Sequence, residues 1–212
     1  ADDIDGDGEE NDGTALYAAG AVGSVRADGG IAGDVWIGGA DSRGRSLKSL
    51  ATKHSGLHGD LVTTADVGKI RLGGDFGSAI LVGGDLGSLT IKAGDLDGRV
   101  EVQGTLGKVS VNRARSRLTG LYRGGSVGGA ASIAVQGRDD RGRSLKSLSV
   151  KGGHFAGLVE VTGELSVVDD GGRRAYGVPQ KGALELRSSS PVDGAYAVEA
   201  LVRFPSGSGR SG

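Results

Sequence analysis

The chain of 212 residues has no Cys and no Met, and only three Pro. Without Cys there is no disulfide framework, thiolate nucleophile or Cys-ligated metal. The missing Met includes position 1, which is Ala1. The sequence therefore reads as a mature product or a segment of a longer precursor, with any export signal already removed. Aromatic residues are few: one Trp, four Tyr and three Phe. No apolar stretch reaches the roughly 18 residues that a membrane-spanning helix requires. An excess of one charge sign is also missing, since 25 Lys and Arg face 26 Asp and Glu. That balance argues against a general nucleic-acid binder. Few prolines and no strict G-X-Y period exclude collagen.

Glycine is what the chain has in quantity, at 43 residues. Hydrophobic residues still make up 37 %, too many for a disordered linker. The glycines punctuate a repeat made of two alternating short units. The first unit begins at Val22, Leu47, Val67, Leu86, Leu106 and Leu145, as in Leu86-Gly87-Ser88-Leu89-Thr90-Ile91. The second begins at Ile31, Leu57, Phe76, Leu96 and Phe155, as in Leu96-Asp97-Gly98-Arg99-Val100-Glu101-Val102. Each unit ends in an apolar-x-apolar triplet, the period of a strand with one buried face. Gly-Gly pairs such as Gly73-Gly74 and Gly83-Gly84 close the units and suit tight turns.

Short strands are unstable alone but gain partners by stacking. The pattern predicts an all-β fold, a right-handed parallel β-solenoid with coils of about 20 residues and a C-terminal β-hairpin. An antiparallel sandwich is the competing fold; it needs no near-identical units at a fixed period. Residues 1–19 read as an acidic N-terminal segment, 20–168 as the repeats and 169–212 as the hairpin and tail. Within the last segment, Ala183 to Arg187 and Ala197 to Phe204 read as strands, and Ser206 to Gly212 as a Gly/Ser tail. The register slips at 112–137, where Leu118 and Val127 both resemble second units.

The middle residue of each triplet should face outward. In the second unit these residues begin Trp36, Val62, Leu81, an apolar stripe. A stripe of this kind needs a cover. The cover is a terminal segment of the same chain, a neighbouring subunit, or a glycan on Trp36. In the first unit the outward residues are Arg26, Ala51, Arg71, Thr90 and Ser110, a polar face.

Asp3-Ile4-Asp5-Gly6-Asp7-Gly8 has the D-x-D-x-D-G form of the first half of a calcium loop, which makes Asp3, Asp5 and Asp7 candidate Ca²⁺ ligands. The twelfth position is Thr14 rather than an acid, so a solvated acidic tail is the alternative. Asp66, Asp75, Asp85 and Asp95 each precede a unit's first apolar residue and suit capping of turn amides. The segment Asp41 to Leu50 recurs almost unchanged as Asp139 to Leu148. Its arginines Arg43, Arg45, Arg141 and Arg143 are candidate contacts for an acidic polysaccharide or a partner chain. Nine half-units separate the copies by count, which puts them on opposite edges of a two-sided coil and on the same corner of a three-sided one; the alternation favours two sides. His54 and His58 are four apart, but Gly56 between them argues against a helix presenting both.

No catalytic motif is present, neither H-E-x-x-H, G-x-S-x-G nor a P-loop. Glu101 and Glu160 share one outward face, about three coils or roughly 14 Å apart. That exceeds a glycosidase pair's separation.

The runs Gly83-Gly84-Asp85-Leu86-Gly87-Ser88-Leu89 and Gly104-Thr105-Leu106-Gly107-Lys108-Val109 resemble the Gly-rich solenoid repeats of large bacterial surface and adhesin-like proteins. The resemblance spans roughly residues 20–168 and implies an extracellular, structural or adhesive role, but no active-site residues. The expectation is a non-enzymatic subunit of a self-assembling fibre or surface layer. Its partners would be copies of itself and cell-surface polysaccharide, with Ca²⁺ as a structural cofactor. A glycan-binding adhesin module and a carbohydrate-active enzyme are the alternatives.

Overall fold

A computed structural model describes residues 14–115, 122–151, 156–162, 164–170, 173–178, 182–188 and 198–203. These contain strands and no helix. The first ten strands are β1 (Thr14–Ala18), β2 (Val22–Ala27), β3 (Asp34–Ile37), β4 (Arg45–Thr52), β5 (Leu61–Thr63), β6 (Asp66–Leu72), β7 (Ala79–Val82), β8 (Leu86–Lys92), β9 (Arg99–Val102) and β10 (Leu106–Asn112). The rest are β11 (Ala114–Arg115), β12 (Tyr122–Arg123), β13 (Ser132–Val135), β14 (Arg143–Lys151), β15 (Leu158–Val161), β16 (Glu164–Asp170), β17 (Arg173–Val178), β18 (Gly182–Ser188) and β19 (Val198–Arg203).

From β1 to β10 and from β13 to β16 successive strands go to opposite sheets, and β11 and β12 pair with each other in an antiparallel two-stranded sheet. The nine-stranded sheet runs β1-β3-β5-β7-β9-β13-β15-β18-β19. The eight-stranded sheet runs β2-β4-β6-β8-β10-β14-β16-β17. Pairing is parallel from β1 to β15 and from β2 to β16. It turns antiparallel at β17, β18 and β19. Parallel neighbours need a long crossover; here a strand of the facing sheet supplies it.

The period-two triplets explain the layering. Val35, Leu61, Ile80, Val100, Ile133 and Val159 form one inward column of the nine-stranded sheet, all nearly inaccessible. Val25, Leu50, Ile70, Leu89, Val109 and Leu148 face them from the other sheet. At the turn between sheets, Ile31, Leu57, Phe76, Leu96 and Val127 stand on one another through single parallel bridges. The scarcity of aromatics fits this interior: Phe76 heads its fully buried side chains by volume.

The expected right-handed β-solenoid is corrected by this arrangement. Apart from the β11–β12 pair, the described strands form two separate sheets, parallel as far as β15 and β16, packed face to face, not a closed β-helix. The wall that could close a coil is reduced to one bridging residue per repeat. Single backbone bonds link these bridging residues from repeat to repeat, as from Phe76 N–H to the Asp95 carbonyl and from Leu96 N–H to the Ser126 carbonyl, without extending into a third ladder. The alternation of two unit types reflects membership of the two sheets.

Exact stacking brings equivalent turns close together, and the aspartates use that closeness. Asp66 Oδ1 accepts the backbone N–H of Asp85 at 2.8 Å, and Asp85 Oδ1 accepts that of Thr105 at 2.6 Å. Asp75 does the same for Asp95 at 2.8 Å, and Asp95 for Ser126 at 2.7 Å. Asp34 serves Asp60, and Asp60 serves Ala79, at 2.7 and 2.8 Å. Each carboxylate therefore ties its turn to the next one along the stack. Close approach also fixes some glycines. A Cβ on Gly68, Gly87 or Gly107 would strike the carbonyl oxygen of Lys48, Gly68 or Gly87 on the preceding strand.

Leu89 is fully buried mid-stack, so Leu89→Ala should lower unfolding free energy by about 2–5 kcal/mol in denaturant titrations. Asp85→Asn keeps an acceptor but loses its charge, and should cost less, about 1–2 kcal/mol.

Candidate interaction surfaces

The two near-identical segments fold into the same loop. Asp41 Oδ1 accepts the backbone N–H groups of Arg43 and Arg45 at 2.8 and 3.0 Å. Its Oδ2 accepts Nε and Nη2 of Arg45 at 3.2 and 2.9 Å. Gly44 closes the turn at φ +78°, a left-handed conformation that a side chain disfavours. Asp139 repeats every contact with Arg141 and Arg143 at 2.7–2.9 Å, and Gly142 sits at φ +77°. Hydrogen bonds from Arg45 hold the Asp41 carboxyl at a pKa of about 2, and those from Arg143 hold Asp139 at about 2.

This geometry divides the four candidate arginines. Arg45 and Arg143 are committed to their own loops, each donating Nε and Nη2 to a single oxygen, Oδ2, of Asp41 or Asp139. Arg43 and Arg141 are exposed and show no side-chain ion pair among the described residues.

Both loops lead into strands of the eight-stranded sheet, with β6, β8 and β10 between β4 and β14. They therefore share one edge, about 19 Å apart at the usual strand spacing. The expectation of opposite edges is corrected. Val127 occupies the bridging column above Leu96, and β13 follows as the nine-stranded sheet's next member. Among the described residues, the slipped stretch thus supplies one second unit. Leu118, the other candidate there, lies outside the described residues.

Trp36, Val62 and Leu81 stand in register on β3, β5 and β7, all half-buried on the outer face. The stripe begins one residue earlier than the repeat showed. Tyr17 on β1 pairs with Trp36, stacks on it with ring centroids 4.4 Å apart, and is 67 % exposed. β1 falls in the segment read as acidic and outside the repeat, so its alternation was the one signal for Tyr17. β18 and β19 extend this sheet sideways beyond β15, so these two strands do not lie over the stripe.

Glu101 follows Leu81 in the same row, then Ala134 and Glu160. The two glutamates are two strand spacings apart, about 10 Å, and not the three coils expected; the slip at 112–137 again removes one unit. Glu101 Oε1 accepts a hydrogen bond from Arg99 Nε at 2.7 Å.

A cleft of about 640 Å³ opens beside the turns and is lined by His54, His58, Asp75 and Asp95, among others. Ser55 Oγ lies 3.2 Å from His58 Nε2. Nearby, partial burial and the charges of Asp95 and Asp75 push the Asp97 carboxyl up. No group of three or more His, Asp or Glu is arranged to hold a metal among the described residues. The candidate Ca²⁺ ligands Asp3, Asp5 and Asp7, the residues His154 and Phe155, and the tail from Ser206 to Gly212 all lie outside the described residues, while the triplet of the unit that begins at Phe155 lies in β15. Among those described, no helix is long and apolar enough to cross a membrane.

Comparison of the chain with protein-family models, curated proteins and solved structures gave no match.

The lowered carboxyls make an acid-range prediction. A depressed folded pKa stabilises the loop fully above the ordinary value of 3.8, and that support is lost as pH falls toward about 2. Acid titration followed by amide chemical shifts should show the Arg43–Arg45 and Arg141–Arg143 amides moving between those limits. Asp41→Asn should abolish the movement in the first loop and leave it in the second.

Proposed function

We propose that this protein is a non-enzymatic structural subunit of an extracellular fibre or surface layer, assembled by adding copies at its sheet edges. The observation that carries this reading is the open end of the stack. Among the described residues, β1 and β2 are the outermost strands of the two sheets, and each has one side without a strand partner. Leu16, Ala18, Val22 and Ala27 pack on the core there but are only partly buried, unlike their counterparts inside. An unpaired edge with a partly open core is a template for another strand.

The other end is different. It finishes in antiparallel strands, β17 on one sheet and β19 on the other. A contact between unlike ends is heterologous and repeats without closing, which gives filaments. Ca²⁺ at Asp3, Asp5 and Asp7 belongs to this proposal as a structural cofactor, since Asp7 lies seven residues before Thr14, where β1 at the open end begins.

A second reading is a glycan-binding adhesin module, favoured by the exposed ring of Tyr17 stacked on Trp36. An aromatic face of this kind suits the apolar side of a sugar ring. A neutral-glycan array with Tyr17→Ala would show loss of binding under this reading and no binding at all without it.

Sedimentation velocity across concentration, with and without Ca²⁺, tests the assembly reading. Wild type should form concentration-dependent oligomers, and negative-stain images should show filaments. Leu16→Lys with Val22→Lys places charge on the open edge and should leave a folded monomer. A wild type that stays monomeric throughout would overturn the proposal.

A further inference from the structure

Charge that balances over the chain is not balanced over its surfaces. Every strand from β2 to β14 in the eight-stranded sheet carries Lys or Arg, and Asp66 is the one acidic residue in those strands. Asp66 is at a strand end and its Oδ1 is taken by the Asp85 amide. The facing sheet shows the reverse, with Asp34, Glu101 and Glu160 against Arg99 in β1 to β15.

The bases are ordered by register. Lys69 and Lys108 occupy one row, with Ser88 between them and Ser147 next to Lys108. They lie two strand spacings apart, about 10 Å. Arg71 stands two residues along from Lys69, in the row of Thr90. Lys48 and Lys146 hold the corresponding places in the two duplicated segments, about 19 Å apart. All five are exposed, and none forms an ion pair among the described residues.

Between Lys48 and Lys146 come Gly68, Gly87 and Gly107, whose missing side chains leave bare backbone. The result is a shallow band across the strands with bases beside it and at both ends. Arg43 and Arg141 mark its margin.

We propose that this outer face binds a linear anionic polysaccharide laid across the strands. The bare band admits flat sugar rings close to the backbone. Hydroxyls of Ser88, Thr90 and Ser147 are partly exposed there and match sugar hydroxyls. Repeating bases match a polymer with repeating carboxylates or sulfates. Single-stranded nucleic acid also carries regular charge, but its general binders offer aromatic platforms for the bases. Here Tyr17 and Trp36 lie on the other sheet, and the strands β2 to β14 of the basic sheet contain no aromatic residue. This inference is independent of assembly at the open edge.

The test is affinity electrophoresis and calorimetry with polygalacturonate and dextran sulfate, with neutral dextran and single-stranded DNA alongside. Wild type should bind one or both anionic polysaccharides at about 50 mM salt, with affinity falling steeply by about 200 mM. Lys69→Glu with Lys108→Glu should weaken binding by about tenfold or more, and Lys69→Gln with Lys108→Gln by less. Arg99→Glu, on the other sheet, should leave binding within about twofold. Circular dichroism of the variants should match wild type, since both lysines are exposed. No binding to either polysaccharide, tighter binding to DNA, or equal losses from the lysine and Arg99 variants would overturn the proposal.

Discussion

The whole structure depends on one constraint: each residue must stand on its counterpart in the next repeat with parallel register kept. Backbone ladders at about 4.8 Å leave no room for drift. One residue of slip would turn an entire aliphatic column outward. The inward columns of Val, Leu and Ile hold that register from one side, and the aspartate-to-amide bonds hold it from the turns. Where the chain inserts extra residues, as before β4 and between β10 and β14, it returns to the same columns. Leu47 and Leu145 re-enter the column of Val67, Leu86 and Leu106.

The same constraint gives the surfaces their character. A residue type repeated at one position becomes a row, and a row becomes a face. Trp36, Val62 and Leu81 make an apolar row because they occupy one register position, and Tyr17 joins it for the same reason. Lys69 and Lys108 make a basic row. The glycines at 68, 87 and 107 follow from carbonyl oxygens one strand away; their first effect is to let strands approach, and their second is a band free of side chains. An overall charge of −1 is thus a poor guide to this molecule, because register sorts the charges by face.

Much of this was legible in the sequence. The two unit types identified two strand positions, and the apolar-x-apolar triplets identified which residues point inward. The outward row of Trp36, Val62 and Leu81 followed from the period alone. The closed solenoid did not survive, because a pattern of apolar residues does not reveal whether a short corner segment has enough backbone pairing to form a wall. The relation between the two Arg loops also failed, for a local reason. The antiparallel pair β11–β12 interrupts the repeat, and a counted period cannot see that an insertion has replaced a unit. Arg45 and Arg143 looked like ligand contacts, but the Asp four residues earlier in each loop takes the guanidinium. That pairing was available from the identical spacing in both copies. The basic face was harder to see, since its residues are scattered through the chain and gather only when the strands stack.

The central claim is the parallel stack that brings distant segments to one edge. Spin labels at Arg43 and Arg141, read by dipolar electron resonance, measure it directly. The account predicts a backbone separation of about 19 Å, four strand spacings. A narrow distribution centred well beyond about 30 Å, roughly one and a half times the distance four strand spacings span, would contradict it.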